Sequence, residues 1–372
     1  MKNNQTGQKK SSQTTPKIRK IILDDIRRGG IKRSLRQDFR DIYHFYLDQE
    51  TRERLSKMGR VKRWIYLTFW IFKSLFLKLA PARRILLVIS LILLFAAGNY
   101  ESQEGVQISF QFSKFGYLLL FIILMLELMD KWLARDELAV GRTVQQAFIP
   151  DQNPDVEGWD IWIYMQPANE VGGDLVDYLK FEDGKIHVAL ADVAGKGLGA
   201  ALMMAKLQAT LRALAPHFQS LAELGKGVNE IICRDGLPSR FVSLVYLELQ
   251  SKSNKVRIMN AGHMPPILLK KDGIKQMPKG SVALGLDSNS KYTKHQIILN
   301  QNDILLIFSD GVTEARNEAG DFFGEQRLEN FLTKIQKNSA ESIGKQLLIQ
   351  VDKFIGDARR NDDISLVILK KI

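Results

Sequence analysis

The stretch VALADVAGKGLGAALMMAK, residues 188–206, decides the fold of the C-terminal part of this chain. It begins as a continuous apolar run of the kind that forms a buried strand, and Asp192 ends that run. Three glycines follow within five residues, and an Ala-, Met- and Leu-rich helix then begins. A buried strand that ends on a carboxylate and a glycine-rich turn predicts a site where a ligand approaches the backbone closely.

Strands and helices with turn signals between them fill the chain from about residue 155 to its end. Asp183-Gly184 lies between two strand-like runs and predicts a hairpin. The strands are joined by hairpins and the helices come in separate groups, at 198–215, 221–236, 324–336 and 340–355. This order predicts an antiparallel α+β layered sandwich rather than a doubly wound parallel sheet.

Other aspartates occupy places like that of Asp192. Asp174 ends NEVGGD before a strand, Asp310 ends DILLIFSD, and Asp362-Asp363 opens the last strand. A buried carboxylate without a cation costs several kcal/mol or becomes protonated. Each acid taken singly could be a turn residue, but together they predict a cation site, and oxygen ligands without His or Cys select Mg²⁺ or Mn²⁺.

Several other kinds of site do not fit the residues. A P-loop is excluded because Leu190 stands where its first glycine is needed and Gly197 where its Ser or Thr is needed. The five histidines include no zinc-spaced pair, and the single cysteine, Cys233, excludes an intramolecular disulfide.

The net positive charge of the chain comes from its N-terminal part. Residues 1–84 hold 22 Lys and Arg against 7 Asp and Glu, although the whole chain carries only +12. We expect residues 1–62 to be a basic cytoplasmic arm, partly disordered. The alternative is a membrane scaffold whose basic arm binds nucleic acid. No recognition motif accompanies the charge, so we do not expect nucleic acid as a partner.

Two uncharged apolar runs predict a transmembrane hairpin with helices at 83–100 and 115–130 and a short external loop at 101–114. Lys and Arg flank its outer ends, which places both ends in the cytoplasm. Residues 63–82 interleave aromatics with lysines and predict an interfacial helix on anionic lipid, with a distorted third span as the alternative. Two buried helices of a soluble bundle are the alternative to the hairpin.

Residues 131–150 predict a helical linker. Leu133, Val140 and Ala147 fall on heptad spacing, which Asp136 and Thr143 interrupt. The linker is therefore either a dimerising stalk that carries a signal or an amphipathic helix docked on its own domain.

Six motifs in order carry a resemblance to a known family: NEVGGDLVDY, ADVAGKGLGAALMMA, NAGHMPPILL, LLIFSDGVTEARN, FGEQRL and DDISLVIL. They resemble the metal-dependent PPM (protein phosphatase 2C-like) serine/threonine phosphatases, in the bacterial branch that holds stage II sporulation protein E and the RsbU regulators. The resemblance implies an α-β-β-α sandwich over residues 151–372 with two Mn²⁺ or Mg²⁺ ions at one edge.

The resemblance also implies the site residues. The metal ligands and catalytic acids would be Asp174, Asp192, Asp310 and Asp362, with the backbone carbonyl of Val193. Because neighbouring strand residues face opposite ways, only one of Asp362 and Asp363 should face the metals, and the motif favours Asp362. Gly173, Gly195 and Gly197 are further candidates, for close approach of the backbone. Asp177 and Asp363 are candidate additional acids. His263 is a candidate acid catalyst, although a turn residue packed under the site is the favoured interpretation.

Two departures from the animal members of the family concern the phosphate. Their histidine two residues after the second acid is Ala194 here, and PANEVGGD offers no basic residue for the phosphate upstream of Asp174. Water bound to the metal could fill these roles, or affinity for the substrate could be weak.

The predicted function is that of a multi-pass inner-membrane phosphatase whose domain faces the cytoplasm. Its implied substrate is a phosphorylated anti-sigma-factor antagonist, and its other implied partners are membrane lipids and a second copy of the chain. The alternative is a catalytically weak or inactive module that binds a phosphoprotein without turnover.

Overall fold

The computed structural model describes residues 55, 58–95, 98–101, 107–110, 112–236, 240–335 and 338–372. Most of the predicted basic arm therefore lies outside the described residues. The chain divides into two compact units after Asp130. We number the described helices and strands in chain order.

In the described residues of the first unit, the chain forms apolar helices and a short strand pair. Its elements are α1 (Arg60–Lys78), α2 (Pro81–Phe95), β1 (Gly98–Glu101), β2 (Gln107–Phe110) and the start of α3 (Phe112–Gln146). Large aromatic side chains of α1 are exposed, with Trp64 and Phe69 each 59 % accessible. Arg83, near the start of α2, forms ion pairs with Glu127 (2.7 Å) and Asp130 (2.6 Å) of α3.

The structure differs from the predicted span 83–100. Helix α2 ends at Phe95, and residues 98–101 pair with β2 as an antiparallel strand, because Gly98 and Asn99 are poor helix formers. A 15-residue helix reaches only about 22 Å, short of the roughly 30 Å hydrocarbon core. Among the described helices, α3 alone has the length and apolar character to cross a membrane, which by itself is weak support for an anchor.

The second unit contains two five-stranded antiparallel sheets. The first has the strand order β10-β7-β6-β5-β4 and the second the order β3-β12-β11-β8-β9. The strands are β3 (Trp159–Gln166), β4 (Leu175–Lys180), β5 (Lys185–Val193), β6 (Val242–Gln250), β7 (Lys255–Ala261), β8 (Ile267–Lys270), β9 (Gly273–Gln276), β10 (Lys294–Ile298), β11 (Ile304–Phe308) and β12 (Ile364–Lys371). The predicted hairpin at Asp183-Gly184 is confirmed, with β4 and β5 paired on either side of it.

Three apolar cores hold four layers together, so the predicted α-β-β-α sandwich is confirmed. The helices of this unit are α4 (Leu198–Leu214), α5 (Leu221–Asp235), the short turn α6 (Asp310–Thr313), α7 (Gly324–Leu332) and α8 (Ala340–Ile355). Helices α4 and α5 cover the first sheet, and α7 and α8 cover the second. Strand alternation turns Val188 and Leu190 toward the core between the sheets, while Ala189 and Ala191 face the helices.

A close contact between α8 and β3 sets the spacing of the second pair of layers. The Trp162 ring, 6 % exposed, lies against the backbone of Gly344. An ideal Cβ at Gly344 would lie only 1.9 Å from Trp162 Cζ3, so no side chain fits without a shift of the ring or the helix.

We therefore expect Gly344→Ala to destabilise the second unit by about 1–3 kcal/mol, the usual cost of overpacking a core. Thermal unfolding followed by circular dichroism should show a midpoint lowered by several degrees. Ile349→Ala is the matched control on the same helix, because Ile349 is 50 % exposed, and its midpoint should stay near that of the wild type. An unchanged midpoint for Gly344→Ala would contradict the packing described.

Candidate metal centre

The sandwich brings the predicted acids from both sheets to one edge. Asp174 precedes β4 and Asp192 is the penultimate residue of β5, so they come from neighbouring strands of the first sheet. Asp310 follows β11, and Asp362-Asp363 precedes β12, its neighbour in the second sheet. Asp192 lies close enough to Asp310, Asp362 and Asp363 for their charges to act on its titration.

Asp174 is the most deeply buried of these acids. Its side chain is 2 % exposed, and its Oδ2 atom has no hydrogen-bond partner. Burial, followed by the charges of Asp192 and Asp363, raises the pKa of Asp174 well above its ordinary value. A buried carboxylate oxygen without a partner is costly, and a cation ligand is one role that would satisfy it.

Asp192 and Asp310 share this electrostatic stress. Burial, together with the charges of Asp310 and Asp362, raises the pKa of Asp192 to about 7. Burial and the charge of Asp362 raise the pKa of Asp310 to about 6. The ammonium group of Lys196 opposes both shifts without cancelling them.

The structure gives the adjacent Asp362 and Asp363 different tasks. Asp363 accepts hydrogen bonds from the backbone N–H groups of Ala168 (2.8 Å), Gly173 (2.7 Å) and Asp174 (3.4 Å), and thereby holds the loop that carries Asp174. Asp362 is partly exposed, and its Oδ2 accepts a hydrogen bond from Lys196 Nζ at 2.8 Å. Asp363 is thus a loop-positioning residue, and Asp362 faces the cleft.

A solvent-open cleft of about 250 Å³ lies at this edge. Its lining is mostly backbone and carboxylate, from Asn169, Val171, Gly172, Gly173, Asp192, Gly195, Lys196, Gly197, Asp362 and Asp363. Lys196 brings a cation to the cleft that our sequence analysis missed. The family pattern places the phosphate-binding residue upstream of Asp174, and GKG fits no P-loop, so no motif pointed to Lys196.

Two glycines shape the backbone here. An ideal Cβ at Gly173 would lie 3.1 Å from the carbonyl oxygen of Val193, so glycine lets the two loops meet. Gly195 has φ +102°, and a Cβ there would lie 2.6 Å from Arg240 Nη1. Arg240 donates from that nitrogen to the carbonyl oxygen of Ala194 at 3.1 Å.

His263 is buried beneath the site and makes structural hydrogen bonds. Burial lowers its pKa to about 4, so the ring is neutral at neutral pH. Its Nε2 donates to the carbonyl oxygen of Phe308 (3.1 Å), and its Nδ1 accepts from the Ser243 hydroxyl (2.8 Å). Both ring nitrogens are therefore used in joining β6 to β11, which fits a packing role rather than acid catalysis.

Asp177 lies outside the cleft. Both of its carboxylate oxygens accept hydrogen bonds from the Arg212 guanidinium of α4, at 2.8 and 2.7 Å. Strand alternation places it on the helix-covered side of β4 with Ala189, its partner on β5.

The last turn of α3 is joined to the metal-site loop, a contact that no sequence motif signalled. Gln145, 4 % exposed, donates from Nε2 to the Gly172 carbonyl (2.7 Å) and accepts at Oε1 from the Gly172 N–H (3.0 Å). On the following segment, Gln208 of α4 donates to the carbonyl oxygen of Phe148 at 2.8 Å. The end of the linker is therefore held by residues beside the cleft.

The donor set fits a hard cation, although the side chains are not yet in ligating positions. In the part of the chain that the structure describes, no three acidic, histidine or cysteine side chains are grouped tightly enough to hold an ion. The charges of Asp310 and Asp362 act on Asp192, the charge of Asp192 acts on Asp174, and the Val193 carbonyl faces the loop at Gly173. Oxygen ligands of this kind suit Mg²⁺ or Mn²⁺.

The raised pKa of Asp192 predicts a pH-dependent stability in a metal chelator. The folded-state pKa is about 7, whereas an unfolded Asp titrates near 3.9. The folded chain therefore keeps a proton that the unfolded chain has lost, and this contribution to stability disappears as the pH rises through 7. Between pH 5 and pH 8, Asp192→Asn should gain on the order of 2 kcal/mol in the free energy of unfolding relative to the wild type, measured by urea unfolding.

Asp183→Asn is the control for this measurement. Hydrogen bonding to Lys185 lowers the pKa of Asp183, so it stays ionised over the whole range. Its stability should follow the wild type from pH 5 to pH 8. Parallel curves for the wild type and Asp192→Asn would rule out the proposed titration.

Comparisons with known proteins agree with this architecture. The family model described as Stage II sporulation protein E (SpoIIE) matches residues 182–371. Protein IcfG of Synechocystis sp. is 28 % identical over 264 residues, which cover 63 % of this chain and 41 % of IcfG. Phosphoserine phosphatase RsbU of Bacillus subtilis is 26 % identical over 239 residues, 64 % of this chain and 70 % of RsbU.

Among solved structures, the SiaA-PP2C domain of Pseudomonas aeruginosa superposes with a TM-score of 0.57 at 18 % identity. The superposition covers 66 % of this chain and 98 % of that domain, and it shows the same fold. The present chain spans only about two fifths of the length of IcfG.

Proposed function

Because the chain belongs to the stage II sporulation protein E (SpoIIE) family of PP2C-type phosphatases, we propose that it is a metal-dependent protein serine/threonine phosphatase associated with a membrane. The observation that carries this proposal is the gathering of acids from both sheets at one edge of the sandwich. Asp174 supports it most directly, since its buried Oδ2 has no partner in the described residues.

We propose that two Mn²⁺ or Mg²⁺ ions are held by Asp174, Asp192, Asp310, Asp362 and the Val193 carbonyl. When bound, the ions supply an activated water and positive charge for the phosphate oxygens. In the overall reaction the P–O bond to serine or threonine would be replaced by a P–O bond to the oxygen of water, and a proton from that water would end on the released hydroxyl group. No cysteine nucleophile is needed, in keeping with Cys233 as the single cysteine.

Lys196 has a second task in this proposal. Its side chain is 55 % exposed at the cleft, and its ammonium group lies 2.8 Å from Asp362. A cation of this kind binds a phosphate as a point charge. We assign to Lys196 the attraction and orientation of the substrate phosphate, the role for which the animal relatives use an arginine upstream of the first acid.

We further propose a phosphorylated anti-sigma-factor antagonist as the substrate. The support is the likeness to RsbU of Bacillus subtilis, a phosphoserine phosphatase by name, within the branch that the sequence motifs resemble. The cleft is far too small to admit a folded domain, so the substrate would present its phosphorylated residue on an exposed segment.

The N-terminal part is proposed to anchor the chain at the inner membrane with the phosphatase domain in the cytoplasm. Helix α3 provides the apolar segment, and the exposed aromatics of α1 would lie at the lipid surface with its basic residues. Exposed apolar side chains on the linker part of α3, including Leu133 and Val140, would pair with a second copy of the chain. Through the Gln145–Gly172 contact, the linker would then influence the order of the metal loop.

Loss of the metal acids should abolish phosphatase activity. The full chain should release phosphate from a phosphoserine protein in Mn²⁺ and lose that activity in EDTA. Asp192→Asn and Asp310→Asn should each reduce turnover by about 10²-fold or more, because each removes charge from the ion site. Phosphate release measured at several Mn²⁺ concentrations checks this.

Asp183→Asn, an exposed acid paired with Lys185, is the matched control and should retain full activity. Turnover that persists without a divalent cation would overturn the proposed mechanism. Tight binding of the phosphoprotein without turnover would instead favour an inactive binding module.

Membrane association can be tested by placing charge on α3. Leu118→Arg/Ile122→Arg changes two exposed side chains one turn apart in its apolar part, at a cost of roughly 2.5–3.5 kcal/mol per arginine in a bilayer. We expect the wild type to stay with membranes after alkaline carbonate extraction and this variant to be released. Val140→Arg/Val144→Arg, equally exposed on the linker part, should stay bound. Release of the wild type by carbonate would refute the anchor.

A further inference from the structure

Residues 151–372 leave several large apolar side chains exposed, some of them on segments next to the cleft. Four of them form what we call the apolar patch: Leu198 (51 % exposed), Leu202 (61 %), Phe241 (38 %) and Leu286 (58 %). Single exposed apolar residues are ordinary, but several together beside a site indicate an interaction surface. Elsewhere in residues 151–372, Val282 (48 % exposed) lies on the same segment as Leu286, and Ile298, Phe322, Ile349 and Ile372 are exposed on separate elements.

Arg240 holds the three segments of the apolar patch together. Its guanidinium lies under the start of α4, where ideal Cβ atoms at Gly195 and Gly199 would be 2.6 and 2.9 Å from its nitrogens. The N–H of Ala194 donates to the carbonyl oxygen of Phe241 at 2.9 Å. On the other side, a Cβ at Gly285 would lie 3.7 Å from Phe241 Cα, which places Leu286 next to this segment.

The apolar patch is continuous with the cleft. Gly197 lines the cleft and Leu198 is the next residue along the chain. Leu202 lies one helical turn further from the cleft, roughly 6 Å along α4. A substrate chain in extended conformation covers that distance in about two residues.

The cleft alone offers little basis for choosing between phosphoproteins. It is lined by backbone, carboxylates and one lysine, groups that meet any phosphoserine alike. Discrimination therefore needs contacts outside the phosphate, and burial of apolar side chains next to the cleft would provide free energy for it.

We propose that the apolar patch docks apolar side chains that flank the phosphorylated residue of the protein substrate, two and four residues away from it. The proposal rests on the proposed function and adds a preference among substrates to it. The occupant is a phosphoprotein segment because the apolar patch begins at the residue that borders the phosphate cleft. If a second copy of this chain covered the apolar patch, nothing would require the apolar patch to lie next to the phosphate cleft.

The test uses the full chain in detergent with two phosphoserine peptides. One peptide has leucine at the second and fourth positions on each side of the phosphoserine, and the other has serine there. We expect the wild type to prefer the leucine peptide by about tenfold in kcat/KM. In Leu198→Ser/Leu202→Ser the ratio should fall close to one, and Leu286→Ser should reduce it in part.

Ile349→Ser is the matched control, since Ile349 is equally exposed but lies on α8. It should keep the tenfold ratio. Equal rates for the two peptides in the wild type, or an unchanged ratio in Leu198→Ser/Leu202→Ser, would overturn the proposal.

A binding measurement separates this proposal from the proposed function. Fluorescence anisotropy of both labelled peptides with the Asp192→Asn chain needs no turnover. Tighter binding of the leucine peptide, lost when Leu198→Ser/Leu202→Ser is added, supports docking even if neither peptide nor p-nitrophenyl phosphate is hydrolysed. A dimer that dissociates in Leu198→Ser/Leu202→Ser, seen by light scattering, would show that a second copy covers the apolar patch and would overturn docking.

Discussion

Repulsion among buried carboxylates is the constraint on which the rest of this structure depends. Asp174 is buried and Asp192 and Asp310 are partly buried, and the charges of neighbouring carboxylates raise the free energy of the ionised form of each. A fold does not keep such a cluster without compensation, because every charge in it weakens the packed state. Protons relieve the repulsion at low pH, and divalent cations would relieve it at the pH of the cell.

Neutral hydrogen-bond donors position the loop that the acids need. Asp363 accepts hydrogen bonds from three backbone N–H groups of residues 168–174, which fixes the loop through neutral donors, although its own charge adds to the repulsion on Asp174 and Asp192. Gln145 holds the neighbouring Gly172 from the end of the long helix α3. The loop is thereby joined to the linker through uncharged contacts, while Lys196 remains the cation that lines the cleft among the described residues.

The two ends of the chain obey different physical rules. In the first unit, large apolar side chains such as those of Trp64 and Phe69 are exposed on the described helices. In the second unit, apolar side chains fill three cores between layers, and the apolar patch is one of several places where others stay exposed. The sequence composition predicted a difference between the two ends of the chain. The predicted span 83–100 was too long, because helix propensity around Gly98 is low and residues 98–101 pair with β2 instead.

The sequence by itself determined the features that depend on neighbours in the chain. Period-two burial, the turn at Asp183-Gly184 and the acids at strand ends are local signals, and the ordered motifs pointed to the layered sandwich. Only the tertiary structure assigned separate tasks to Asp362 and Asp363, brought Lys196 into the cleft and joined Gln145 to the metal loop. Those contacts link residues far apart in the chain, 190 positions in the case of Gly173 and Asp363, and no local propensity encodes them.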